Sequence, residues 1–129
     1  CRFGTQDSTG LGIKLEKLYV AADVGIALDP DNLKAQIMSG AVYGLSAAMS
    51  GEITFADGVV EKSNFHDYDA MRIWQCPEMQ IEILQNAEHM SGAGEISTPG
   101  AAPALANAIF ALTGKRIRTL PLNREVKFA

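Results

Sequence analysis

The sequence predicts an α+β fold in which a mixed sheet of about four strands packs with two main helices. Three observations carry that expectation. Apolar residues recur at helical spacing over 37–49, an almost wholly small and apolar run fills 99–113, and short β-branched or alternating runs lie between turn signals. With 129 residues the chain has the length of one domain, enough for a real core.

Residues 1–14 hold Gly4, Gly10 and Gly12 among polar neighbours and are expected as a loop or flexible arm. Residues 15–24 read as a strand, closed by Gly25. Asp29 and Pro30 then start a helix, an N-cap followed by a first-turn proline. Its apolar positions Ile37, Met38, Ala41, Val42, Leu45, Ala48 and Met49 make one broad face. Gly40 and Gly44 lie one turn apart on that helix, each costing about 1 kcal/mol relative to Ala. Something must therefore pack close to the backbone there, either another helix or a cofactor.

Residues 53–55 and 59–61 flank Asp57-Gly58, a two-residue hairpin signal. Residues 62–78 show no period and form a connection, with one helical turn within 68–74. Met79, Ile81 and Ile83 alternate with Gln80 and Glu82, as in a half-buried strand. The final helix, 99–113, is apolar nearly all round and is expected to be buried on most sides. Gly114 ends it, and Pro121 prevents its continuation.

Between that strand and helix, Ser91-Gly92-Ala93-Gly94-Glu95-Ile96-Ser97-Thr98-Pro99 places one carboxylate on a glycine-hinged loop. Gly92 and Gly94 let the backbone take positive φ or pass close to a bulky ligand. Thr98 reads as an N-cap and Pro99 as a first-turn residue, so free amides and the positive end of the helix dipole are expected near Glu95. By residue type alone Glu95 is either a carboxylate complementing that dipole or a functional group. Ser97 and Thr98 read as caps, and Asn107, among apolar neighbours, is expected to bond to the adjacent backbone.

Composition excludes several classes. The net charge of −4, without a clustered basic footprint, argues against nucleic acid. Lys115, Arg116 and Arg118 read as complement to a helix C-terminus. Cys1 and Cys76 lack any paired spacing, so the chain supplies neither an iron–sulfur cluster nor zinc. Residues 101–112 are too short to span a bilayer and contain Pro103 and Asn107, so no transmembrane segment is expected. His66-Asp67 and His89 lack the third member of a triad or metal site. The five methionines share no spacing and read as core filler, and Tyr68 and Trp74 read as packing residues.

Two ordered sets of residues carry a family resemblance. Gly92-Ala93-Gly94-Glu95 is followed by Ala106-Asn107-Ala108-Ile109, Gly114 and Leu120-Pro121. Upstream stand Asp23-Val24-Gly25, Pro30, Gln36, Gly40 and Gly44-Leu45. Over roughly 17–122 the chain resembles the molybdenum-cofactor-binding large subunits of the xanthine dehydrogenase and aldehyde oxidoreductase group. The run from Ser63 to Tyr68 is most similar to the isoquinoline 1-oxidoreductase β-subunit branch, which includes membrane-associated aldehyde dehydrogenases.

The resemblance implies that 15–129 are the C-terminal segment of the molybdopterin-binding domain of a longer subunit, an expectation that the start at Cys1 suits. It implies oxidation of a small-molecule substrate, an aldehyde or an N-heteroaromatic, by hydroxylation. Glu95 would be the base acting on the molybdenum-bound hydroxide. One carboxylate suffices because the metal acidifies its water, and partial burial would tune Glu95 for proton transfer. Gln36 would touch the molybdopterin cofactor, in a dinucleotide form, through its side-chain amide, or else simply face solvent. Ala93 and Gly94 would touch it through backbone amides. Iron–sulfur clusters would sit on a partner subunit or domain, beside the remainder of the large subunit. The alternative is a non-catalytic binding or assembly module that retains the fold. The isolated chain is expected to be inactive and to self-associate through its two helices.

Overall fold

Backbone pairing begins where the sequence predicts a loop. The computed structural model describes residues 12–129 in full and the backbone of Arg2–Asp7, which forms strand β1 antiparallel to β2 (Ile13–Asp23). The loop expected over 1–14 is corrected to that extent; Cys1 and 8–11 lie outside the described residues. The hexapeptide RFGTQD carries no apolar alternation, so its strand character comes from its partner.

Pairing steps from Gly4↔Lys17 to Thr5↔Leu15, leaving Glu16 as an extra residue in β2. A bulge of this kind reverses the pleat. Ile13 and Leu15 are therefore buried before it and Leu18, Val20 and Ala22 after it, all against the same core. Strand β2 also pairs, in parallel, with β5 (Glu78–Leu84), from Lys17↔Glu78 to Asp23↔Leu84.

The main sheet is thus three-stranded and mixed, in the order β1-β2-β5. The expected single sheet of about four strands is corrected: β3 (Phe55–Ala56) and β4 (Val59–Val60) form a separate ribbon. Asp57 and Gly58, at φ 51° and 79°, make its two-residue turn, as such hairpins require. Two-residue strands bury too little to join a larger sheet. The α+β class itself stands.

Helix α1 (Pro30–Met49) starts as expected, the Asp29 carboxylate accepting the Asn32 amide at 3.0 Å. Its Ile37, Ala41, Leu45 and Ala48 meet Ala101, Leu105 and Ile109 of α2 (Thr98–Thr113), two stripes built on i, i+4 rows that interlock as ridges and grooves. Burying each Leu or Ile contributes about 1.5–3 kcal/mol, so this seam over one face of the sheet dominates stability. The opposite sheet face is polar, with Lys17 and Glu78 paired at 3.4 Å. A Cβ at Gly44 would come within 2.4 Å of the Thr98 carbonyl, so the close partner of the α1 glycines is helix α2. Helix α2 is not buried all round: Pro103, Asn107, Phe110 and Leu112 face outward, while Ala101, Leu105 and Ile109 face the core shared by α1 and the sheet. Gly114 closes it at φ 72°.

Because β2 and β5 are parallel neighbours, their C-terminal ends lie side by side. The loops that lead to α1 and α2 leave from this one edge, the usual location of ligand sites beside parallel strands.

Candidate active site

The Glu95 loop hangs between two anchors. On the β5 side, the Asp23 carboxylate accepts the amides of Gly25, Asn86 and Ala87 at 3.2–3.3 Å, and the Ser91 amide donates to the Val24 carbonyl at 3.0 Å. On the α2 side, the buried Ser97 hydroxyl donates to the Ile37 carbonyl at 2.7 Å, and Thr98 Oγ1 donates to the Gly40 carbonyl at 3.0 Å.

The expected capping is corrected here. Ser97 precedes α2 in helical geometry (φ −84°, ψ −19°), and its side chain makes no cap bond, serving instead as a staple to α1. Free amides are also fewer than expected at the helix start, since the Thr98 amide donates to the Glu95 carbonyl at 3.1 Å and Pro99 has none.

Between the anchors the backbone is open. The amides of Gly92, Ala93, Gly94, Glu95 and Ile96 donate to no described residue. Neither Gly92 nor Gly94 has positive φ, which leaves close approach as the reason for glycine. A Cβ at Gly92 would meet nothing within 4 Å, and one at Gly94 would meet only Gln36 Oε1, at 4.0 Å.

Gly94 and Glu95 form the common wall of two open clefts, of about 480 and 570 Å³. The first is completed by Ser39, Tyr43 and the start of α2, the second by Gln36, Gly92 and Ile96. Ala93 lines a third groove, which it shares with Gln36, Ile26, Leu28 and Met90. The fold thus gathers Gln36, Ala93, Gly94 and Glu95 at one edge. Tyr43, 73% exposed, escaped the sequence reading, although Gln36, Ser39 and Tyr43 share a helix face by their i, i+3, i+7 spacing. Glu95 itself is exposed rather than partly buried, because described residues wall it on one side only.

Other expectations change. Asn107 is exposed, and its Oδ1 accepts Arg116 at 2.6 Å rather than a backbone group, while Arg116 also covers the Phe110 ring at 3.7 Å. Lys115 pairs with Glu125, through both its carboxylate and its backbone carbonyl, and no basic residue lies in the last turn of α2. Asp67 accepts both the amide and the hydroxyl of Ser63 and the amide of Asn64, bonds that hold its carboxyl down at about 2. It braces a loop, with His66 no nearer than 3.9 Å. Trp74 is 74% exposed instead of packed. Burial pushes the half-buried Cys76 thiol up, away from reactivity. No group of three metal-ligating side chains exists among the described residues, and no helix there is long and apolar enough to cross a membrane.

Adjacent parallel strands whose carboxyl-end loops present an open, glycine-lined wall are a common setting for ligand sites. The sequence signature of the molybdopterin cofactor-binding domain matches residues 7–77, more than half of the chain, and the chain belongs to that family, within the xanthine dehydrogenase group. The match includes Gln36 and ends before the Glu95 loop. The chain is 34% identical to isoquinoline 1-oxidoreductase subunit beta of Brevundimonas diminuta, covering 85% of this chain and 14% of that protein. It is 37% identical to the membrane-bound aldehyde dehydrogenase [pyrroloquinoline-quinone] of Gluconacetobacter polyoxogenes, covering 89% of this chain and 15% of that one. The chain therefore spans a small part of these relatives. Quinoline 2-oxidoreductase from Pseudomonas putida shares the fold, with a TM-score of 0.75 at 20% identity over 85% of this chain and 15% of that one.

Proposed function

We propose that the chain forms one wall of the active site of a molybdenum hydroxylase that oxidises an aldehyde or an N-heteroaromatic substrate, with Glu95 as the base. The observation that carries this reading is the placement of Glu95 on the common wall of two clefts, beside a run of amides that donate to no described residue. The names of the relatives, isoquinoline oxidoreductase and aldehyde dehydrogenase, support the substrate classes.

The residues present fit one edge of a large anionic cofactor. They offer amide donors, empty Cβ positions at Gly92 and Gly94, and the Gln36 side chain opposite. When bound, the molybdenum cofactor supplies a redox-active metal that acidifies water. The Gln36 amide and the backbone amides of Ala93 and Gly94 would hold the cofactor's polar edge. Glu95 would accept a proton at its carboxylate as the substrate is oxidised, and Tyr43 would border the substrate's side of the cleft.

Exclusion of water from Glu95 falls to the remainder of a longer subunit, of which 15–129 would be the C-terminal segment of the molybdopterin-binding domain. Electrons would leave through iron–sulfur clusters on a partner. Expressed alone, the chain should hold no molybdenum cofactor and should self-associate.

Glu95→Gln in the holoenzyme tests the reading, because it keeps size and hydrogen-bonding reach and removes basicity. Turnover should fall by at least ~100-fold with molybdenum content near normal, the scale of a lost general base. Turnover within a few-fold of the parent would remove Glu95 from the mechanism.

A further inference from the structure

We infer that the Asp23-Val24-Gly25 corner is a positioning device for the Glu95 loop, setting where the carboxylate stands in the cleft; the inference rests on the role proposed for Glu95. Asp23 ends β2 and pairs with Leu84, the last residue of β5, so its side chain lies where the loop toward Glu95 departs. Its carboxylate accepts two amides of that loop, Asn86 and Ala87, together with the Gly25 amide of its own strand end.

One anion thus binds both loops that leave the sheet at this edge. Charge-assisted bonds of this kind are stronger than neutral ones, and an ionised carboxylate has acceptor capacity for three donors at once. Desolvation, the largest single influence, raises the Asp23 carboxyl, but the hydrogen bonds from Ala87, Gly25 and Asn86 together outweigh it and leave the carboxyl below its ordinary value.

Gly25 adds a steric register to the same corner. It stands at φ 81°, and a Cβ there would lie 2.6 Å from the His89 carbonyl oxygen and 3.1 Å from Met90 Cα. Backbone meets backbone, with no flexible side chain between to absorb an error. The Ser91 amide completes the seat by donating to the Val24 carbonyl. From Ser91 only three residues separate the anchored chain from Glu95, and two of these are glycines with no side chain to anchor them. Since Ser97 and Thr98 fix the far end on α1, the position of Glu95 depends on the near end being fixed as well.

The experiment compares Asp23→Asn and Asp23→Ala in the holoenzyme by amide hydrogen exchange and steady-state kinetics. Exchange at Asn86, Ala87 and Ser91 should rise about tenfold in Asp23→Ala and less in Asp23→Asn, which retains one acceptor oxygen, while amides of 101–112 in α2 stay unchanged. In the same order kcat should fall, about tenfold for Ala, with KM within about twofold, as for a misplaced rather than a missing group. Unchanged exchange over 86–91, or acceleration spread equally through α2, would overturn the inference, as would faster loop exchange with kcat intact. The exchange pattern does not depend on what Glu95 does. Full activity of Glu95→Gln beside locally accelerated exchange would therefore overturn the base assignment and the positioning role built on it, while showing that the seat holds the loop.

Discussion

Four glycines set two parts of this molecule against each other. At Gly40 and Gly44 the position of a side chain is already filled, by Ser97 Oγ at 2.6 Å and by the Thr98 carbonyl at 2.4 Å. At Gly92 and Gly94 it is empty. The first pair lets two helices approach until their backbones nearly touch; the second leaves a strip of amides, which donate to no described residue, bare beside a carboxylate. The same residue type thus marks a packed seam and an open wall, and only the surroundings distinguish them.

The seam should break first and hardest. Gly44→Val would drive two methyl groups into the Thr98 backbone, and the loss should be about 3 kcal/mol or more, read as a large fall in melting temperature. Any gain in helix propensity is near 1 kcal/mol and cannot compensate. An unchanged melting temperature would mean that α2 is not where the structure places it.

That seam was largely readable from sequence, because Gly40, Gly44 and the i, i+4 apolar row lie on one helix and obey one period. The sheet was less so. Strand β1 has no pattern of its own, and the bulge at Glu16 changes the phase of β2 midway, so neither shows in a local window. The apolar 53–60 segment looked like sheet and became an exposed ribbon, since two-residue strands cannot reach the core. In the site, Glu95, Gln36, Ala93 and Gly94 are candidates through the resemblance, and the fold brings them to one edge. The roles of Ser97 and Thr98 were not, because a hydroxyl before a helix looks the same whether it caps that helix or reaches across to another. Similarly, the α1 and α2 faces that meet at the seam cover each other, so self-association of the isolated chain would rest on the apolar groups left exposed, among them Tyr43 on α1 and Phe65, Ile73 and Trp74 outside α1 and α2.

A smaller effect should come from the staple that joins seam to loop. Ser97→Ala removes the buried bond to the Ile37 carbonyl and should cost about 1 kcal/mol in chemical denaturation, with the m-value unchanged. A loss below a few tenths would show that the apolar seam alone holds the loop's end.

On the open wall, Gly92→Ala should shift stability by less than about 0.5 kcal/mol, since the new methyl group meets nothing within 4 Å. A large loss of stability would remove the contrast between the two glycine pairs.

The exposed 63–67 loop offers the smallest effect. The bonds from Ser63 and Asn64 lower the Asp67 carboxyl from 3.8 to about 2, so its contribution is complete above about pH 4 and lost as pH falls toward 2. Nuclear magnetic resonance of the Ser63 and Asn64 amides should follow that titration and become flat in Asp67→Asn. A pH-independent parent loop would contradict the assigned bonds.

The open wall is read as open for a ligand, and Gly94→Val tests this most directly when molybdenum per folded holoenzyme subunit is measured beside the melting temperature. Molybdenum content should fall by more than about half while the melting temperature stays within about 3 °C of the parent, because the side chain enters empty space that the cofactor would use. Full molybdenum content in a normally folded variant would contradict it.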